Sequence, residues 1–418
     1  MVYIAILGGF GVIGSGVAQV LAQNAALIEK KAGQAVAVKR VLDIRDCPGH
    51  PMEHLLTKNF EDILTDDEIK IVAEVMGGTE PAYTYAKRAL LAGKSVCTSN
   101  KELVIKHGAE LLRIAQEREL NFMFEASVGG GIPIVRPMNL ALTTDEIVAV
   151  AGILNGTSNY ILHQMEKTGA AFADALAGAS ALGYAEKNPK EDVEGRDASR
   201  KLAILLSLAT GRQVNYEEIH TEGITGITAA DFSAARHFGY TIKLLVDGRI
   251  NGGGLEAMVA PALVHGSNAF STVGDVFNCV LVQAKVTDNV MFYGRGAGKL
   301  PTAGAVISDI VDVSKHLHRH IMHTWSEEVN PVLPAGSYIK KKMVRAVCSD
   351  TVIAKNSIEK IYPGAKIFFS QDKTAVWFTP PETEDETSAK TAALAEAGGI
   401  LKIEKTLRVY EPVNMEKI

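Results

Sequence analysis

Asp197 and Lys201 stand four residues apart in the chemically densest stretch of this 418-residue chain, Gly183-Tyr184-Ala185-Glu186 and then Asp192 through Lys201. On a helix such a pair shares one face in the favourable acid-before-base order. If exposed, it would contribute only roughly a few tenths of a kcal/mol. The apolar run Leu202–Leu206 follows at once, which predicts a helix packed into the core with the pair facing a cleft. A lysine ammonium there can protonate the alkoxide left when hydride reaches a carbonyl, while a neighbouring carboxylate holds a substrate amine or hydroxyl. The chemistry suits a dehydrogenase.

A dehydrogenase needs a dinucleotide, and the chain opens on one candidate cradle. Gly9-Phe10-Gly11-Val12-Ile13-Gly14 fits G-x-G-x-x-G between a strand-like run and a helical one, the context that gives this spacing meaning. Its glycines allow a tight turn and let a pyrophosphate approach the free N–H groups of a helix start. Asp43 ends the second strand-like run, two residues before Arg45. The acid suits a ribose diol and the arginine a 2′-phosphate, so NAD and NADP both remain open. Gly77, Thr98 and Ser99 follow later strands at the carboxyl edge, where open α/β sheets bind ligands. Lys101, opening the next helix beside them, is a candidate for the site. Cys97 has no histidine nearby in sequence to activate it, which favours a packed strand thiol over a nucleophile.

Two further clusters carry weaker signals. Glu125 precedes Val128-Gly129-Gly130-Gly131-Ile132, where a carboxylate and several carbonyls could converge on a hard cation. A flexible hinge is the simpler reading of those residues alone. His316, His320 and His323 could share a helical face, but no acid or cysteine accompanies them at ligand spacing, so a polar helix face is expected.

These residues need elements to position them. At roughly 150 residues per domain, the length predicts two or three domains. Short apolar runs alternate with helical periodicity up to about residue 134, as a parallel sheet with helices on both faces requires. An α+β texture covers 135–329, Asn330–Gly336 reads as a linker, and 337–418 runs β-α-β-β-α-β, the ferredoxin-like order. The acidic segment PPETEDETS reads as a loop, and a helix near 300–323 is placed so that it can return to the first domain. A net charge of −5, from 43 basic and 48 acidic residues without a long basic run, disfavours nucleic acid as partner. No apolar stretch reaches the roughly 18 residues of a membrane span, and no leader pattern is present, so a cytoplasmic location is expected. Cys47, Cys97, Cys279 and Cys348 lie far apart, which suggests neither a zinc site nor a disulfide framework.

The segments ILGGFGVIGSGV, TSNKEL, EASVGGGIPI, ILNGTSNYIL, GYAEKNPKEDVEGRDASRKLAIL and YGRGAGKLPTAGAVISD, in this order, resemble the homoserine dehydrogenase family over roughly residues 1–325. The resemblance implies NAD(P)H-dependent, reversible reduction of L-aspartate 4-semialdehyde to L-homoserine, on the branch to threonine and methionine. It implies Lys201 as general acid/base, Asp197 and Glu186 as binders of the amino alcohol, and Lys101 between cofactor and substrate. Thr157 and Gly183 would line the cleft, and Gly298 would touch the nicotinamide end. It also implies a sodium ion at Glu125, Val128, Gly130 and Ile132, and a homodimer formed through the second domain. The expected fold class is therefore α/β, with a Rossmann-type parallel sheet domain, an α+β catalytic and dimerisation domain, and a small ferredoxin-like C-terminal domain. The last is similar to an ACT domain, but Cys348-Ser349-Asp350 replaces the Asp-x-Pro-Gly-type loop, so threonine feedback does not follow. Two rival readings are a catalytically silent dinucleotide-sensing regulator and an oxidoreductase for another amino-acid aldehyde.

Overall fold

A computed structural model describes residues 1–186 and 188–415. The chain packs as two compact units, one made of Met1–Ile147, Arg200–Tyr216 and Asn278–Asn330, the other of Val148–Ser199, Glu217–Phe277 and Pro331 onward.

The first unit is built on a six-stranded parallel sheet. Its strands, numbered along the chain, are Val2–Leu7, Val36–Leu42, Leu56–Thr57, Ile69–Glu74, Ser95–Thr98 and Phe122–Met123, and their spatial order is 3-2-1-4-5-6. Val2–Leu7 and Ile69–Glu74 sit at the centre and are almost wholly buried, which is why Val2–Leu7 reads as a continuous apolar run. This is the doubly wound order, with the first crossover turn at the switch point. Gly14 lets that turn close, because a Cβ there would stand 2.4 Å from the Gly8 carbonyl oxygen. The helix Lys299–Lys315 belongs to this unit and packs against Val12–Gln23, with Gly16 against Ala303. It stops at Lys315, so His316, His320 and His323 do not form a helical face. His316 Nδ1 meets the Asp312 carbonyl at 2.8 Å and His320 Nδ1 the Leu120 carbonyl at 2.7 Å. Among the described residues no group of three or more His, Cys, Asp and Glu side chains could hold a metal.

In the second unit a sheet runs through Ile147–Ile153, Tyr240–Asn251, Gly254–His265, Ile400–Val409, Lys342–Cys348, Thr374–Phe378 and Ile367–Phe369. The last four strands, with helices Thr351–Ile361 and Glu384–Glu396, form β-α-β-β-α-β in the spatial order 4-1-3-2. One face of this four-stranded part is covered by those helices around Trp377, Val344 and Leu394. Ala262 and Leu263 pair in parallel with Arg408 and Val409, so the sheet continues into the preceding strands. Ion pairs reinforce the join: Lys340 to Asp247 at 2.7 Å, Arg345 to Asp231 at 3.0 Å and Arg408 to Glu222 at 2.8 Å. Burial alone would raise the Glu222 carboxyl, but His220 and Arg408 hold it down at about 2.

One local expectation changes, and one strand had no signal in the sequence. The acidic segment is not all loop, because Thr383 caps a helix beginning at Glu384 and Glu386 returns to the Thr383 amide. Acids at a helix start are favoured by the helix dipole and by this reciprocal capping. The long strand Tyr240–Asn251 lacks a clean alternation because both of its faces are largely buried.

Candidate active site

In the first unit, the fingerprint turn and the second strand are tied by one carboxylate. Asp43 accepts the Phe10 amide at 3.0 Å on Oδ2, and Arg45 grips it with Nε on Oδ1 at 2.9 Å and Nη2 on Oδ2 at 2.8 Å. Burial raises this carboxyl, but the Arg45 guanidinium and the amides of Arg45 and Phe10 outweigh it and hold it at about 2. A cleft of about 640 Å³ opens here, lined by Gly8, Gly11, Asp43, Arg45, Lys58 and Tyr85 among others. The cleft lies beside the helix start Val12–Gln23, whose free N–H groups favour an anion.

Further along the carboxyl edge stands Glu74, fully buried at the end of its strand. It accepts the Thr98 hydroxyl at 2.6 Å and the Met76 amide at 2.8 Å. Thr98 Oγ1 in turn accepts the Asn100 amide at 2.9 Å, and Asn100 caps the helix Lys101–Glu117 while donating to the Gly78 carbonyl at 2.6 Å. This chain of bonds sets the turns carrying Gly77, Thr98 and Ser99 and fixes Lys101 at the first helical position. Burial pushes the Glu74 carboxyl up. Burial also pushes the Cys97 thiol well up, which suits a packed strand thiol and not a nucleophile.

The glycine run after Glu125 is held from both sides. The Glu125 carboxylate accepts the amides of Ile134 at 2.6 Å, Val135 at 3.0 Å and Arg136 at 2.7 Å. Asp309 accepts the Glu125 amide at 2.9 Å and Arg136 Nη2 at 2.5 Å. Burial pushes the Asp309 carboxyl up to about 7 against the pull of Arg136. Gly130 has φ +56°, and a Cβ on it would stand 2.3 Å from the Gly296 carbonyl oxygen. A Cβ on Gly296 would meet the Asn278 amide at 1.9 Å. The glycines are thus required by close backbone approach. None of the backbone hydrogen bonds among the described residues ends on the carbonyls of Val128, Gly130 or Ile132.

The second unit assembles an acidic group. Asn155 caps the helix Gly156–Thr168 through Oδ1, while its Nδ2 donates to Asp192 Oδ1 at 2.7 Å and to Asp197 Oδ2 at 3.0 Å. One amide therefore brings two carboxylates together. Thr157 Oγ1 donates to the Tyr184 carbonyl at 2.8 Å, which holds the Gly183 turn beside the same helix start. Glu186 is exposed just beyond that turn. Asp197 is buried and shares the helix Arg196–Thr210 with Lys201, which is half-buried.

A model of the homoserine dehydrogenase NAD-binding domain matches residues 9–125, and one of homoserine dehydrogenase matches residues 133–311. The homoserine dehydrogenase of Helicobacter pylori is 36% identical over 392 residues, covering 91% of this chain and 92% of its own. The chain belongs to the homoserine dehydrogenase family. The crystal structure of the homoserine dehydrogenase from Thiobacillus denitrificans superposes with a TM-score of 0.87 at 34% identity, covering 98% of each chain. A hyperthermophilic archaeal homoserine dehydrogenase in complex with NADPH shares the fold, with a TM-score of 0.63 at 24% identity over 75% of this chain and 97% of its own. The expected activity and the α/β class with a Rossmann-type sheet hold, and neither rival reading is favoured.

Sequence reasoning gave no role to two residues that this homoserine dehydrogenase fold brings into the candidate site. Glu74 sits inside an apolar run, and only the parallel pairing of its strand with Ser95–Thr98 puts it on Thr98. Asp192 looked like one acid among several. The signal that could have singled it out was the Asn155-Gly156-Thr157 helix start, whose amide reaches it from 37 residues away.

Proposed function

We propose that this homoserine dehydrogenase reduces L-aspartate 4-semialdehyde to L-homoserine through Lys201, with the Asn155-linked carboxylates of Asp192 and Asp197 receiving the substrate ammonium. The observation carrying this reading is that shared amide, one helical turn before Lys201. Two carboxylates brought together in this way carry the charge that attracts an ammonium, and each carboxylate oxygen accepts more than one hydrogen bond. When bound, the nicotinamide supplies hydride to the carbonyl carbon. Lys201 gives its proton to the carbonyl oxygen and takes it back in the oxidation. Glu186 joins Asp197 on the amino alcohol, Gly183 and Thr157 shape its pocket, and Lys101 serves where nicotinamide and substrate meet.

Gly9 through Gly14 receive the pyrophosphate, and Gly77, Thr98, Ser99 and Gly298 follow the dinucleotide toward its nicotinamide end. NADP is favoured over NAD, because Asp43 is already engaged by Arg45 and the Phe10 amide, while Arg45 and Lys58 both line the adenosine cleft. A 2′-phosphate suits that pair of cations. The carbonyls of Val128, Gly130 and Ile132 are a donor set for a hard cation, and a Cβ on Gly129 would stand only 2.5 Å from the Ile132 carbonyl oxygen. Sodium fits there, with Glu125 holding the loop through three amides; it would fix the turn and take no part in proton transfer. A higher melting temperature in sodium than in choline chloride supports it, and equal values count against it. We further propose a cytoplasmic homodimer formed through the second domain, which sedimentation checks directly.

The deciding experiment is a substrate panel of amino-acid aldehydes with NADPH and NADH, followed by nicotinamide absorbance. Aspartate 4-semialdehyde with NADPH should give the highest kcat/KM. Faster turnover of a larger aldehyde would overturn the substrate assignment.

A further inference from the structure

Away from the candidate active site, the second unit contains a recess of about 610 Å³ between the helix Ala229–His237 and the face of the C-terminal sheet opposite Thr351–Ile361 and Glu384–Glu396. Its deep wall is Arg345, which is 93% buried, being 7% exposed. Arg345 Nε donates to Asp231 Oδ1 at 3.0 Å, and Nη1 lies 3.9 Å from Glu404. The other oxygen of Asp231 is spent on the cap of its own helix, accepting the Thr228 amide at 2.9 Å and hydroxyl at 2.8 Å. Among the described residues the Arg345 Nη atoms make no hydrogen bond, and neither belongs to the buried polar atoms left without one. A buried guanidinium therefore presents its outer N–H edge to an open recess.

The walls select what can reach that edge. Ala230 and Ala234 give one small apolar side, while Phe368 and Val376 give the other. His237 stacks on Phe368 at 3.8 Å and closes one end, and Arg236 adds a second cation at the rim. Asp372, also at the rim, accepts the Ser370 hydroxyl and the Thr374 amide on Oδ1. The guanidinium fork suits carboxylate and phosphate alike, so the apolar surfaces of Ala230, Ala234, Phe368 and Val376 are what favour an acid with a carbon body over inorganic phosphate.

We propose that this recess binds a small carboxylic acid, with the carboxylate on Arg345 and the apolar body between Ala234 and Phe368. The test uses the full chain with NADPH present and three probes, propionate, benzoate and inorganic phosphate, followed by calorimetry and melting temperature. Propionate or benzoate should bind and raise the melting temperature, and phosphate should do so at least tenfold more weakly. Ser233→Trp, which fills the recess without touching the Arg345–Asp231 pair, should weaken carboxylate binding at least tenfold while changing turnover less than twofold. Arg345→Gln should do the same if it folds. Absence of carboxylate binding at tens of millimolar, equal binding of phosphate, or carboxylate binding undiminished in Ser233→Trp would each overturn the proposal.

Discussion

The Glu74 carboxylate accepts the Thr98 hydroxyl at 2.6 Å across two neighbouring parallel strands, with no solvent reaching either side chain. Both residues end their strands at the carboxyl edge. Replacing Glu74 with Ala leaves the buried hydroxyl and the Met76 amide without acceptors, at a cost of about 1–3 kcal/mol. It also frees the turn that sets Lys101. Nucleotide KM should rise about tenfold while kcat falls less, because the loss falls on binding. Glu74→Gln, which keeps one acceptor oxygen, should recover most of the KM. A kcat loss with unchanged KM would refute the positioning role.

Lys201→Ala should lower kcat by roughly 10²–10⁴-fold, the usual worth of a placed proton donor. NADPH affinity, measured by nucleotide fluorescence, should stay within about twofold, because the proposed role concerns the proton. Turnover close to that of the parent would remove Lys201 from the mechanism.

Asp43 titrates at about 2 in the folded chain and near 3.9 when unfolded. Its folded value is lowered, so its contribution is complete above about pH 4 and disappears as pH falls through 2. Asp43→Asn should therefore cost about 2 kcal/mol at neutral pH, with the gap to the parent closing toward pH 2. Urea unfolding at a series of pH values reads this, and a gap independent of pH would contradict it.

Gly296→Ala places a Cβ 1.9 Å from the Asn278 amide nitrogen, at a residue whose own carbonyl lies against Gly130. Overpacking of this kind costs about 1–3 kcal/mol, and here it also pushes on the loop that follows Glu125. Gly304→Ala, where nothing lies within 4 Å, should be neutral or slightly stabilising. Thermal melting of the two variants gives the comparison.

Much of the fold was legible because local rules and burial agree. The run Val2–Leu7 is apolar throughout since it lies at the centre of a parallel sheet, and G-x-G-x-x-G can mean little else directly after such a strand. The Asp197–Lys201 spacing announced itself because both residues share one helix. Glu74 and Asp192 did not, since their partners arrive from other segments and spacing carries no record of them. The same physics hid Tyr240–Asn251, where burial on both faces removes the alternation that marks a strand. The acidic start of Glu384–Glu396 looked like loop because charge was read as solvation, when the capping box Thr383–Glu386 uses it.

The C-terminal segment cannot be treated as a detachable cassette. Ending the chain at the linker would strip Asp231 of Arg345, Asp247 of Lys340 and Glu222 of Arg408. It would also bare the edge of the strand Gly254–His265 where Ile400–Val409 now joins it. Asp247 would keep Arg249 and Glu222 would keep His220, but the buried Asp231 would lose its counter-charge, and a buried unpaired carboxylate beside an open strand edge favours misfolding and self-association. A chain shortened at this point would therefore need a neutral residue in place of Asp231 and a new cover for the strand Gly254–His265 before the remainder could stand alone.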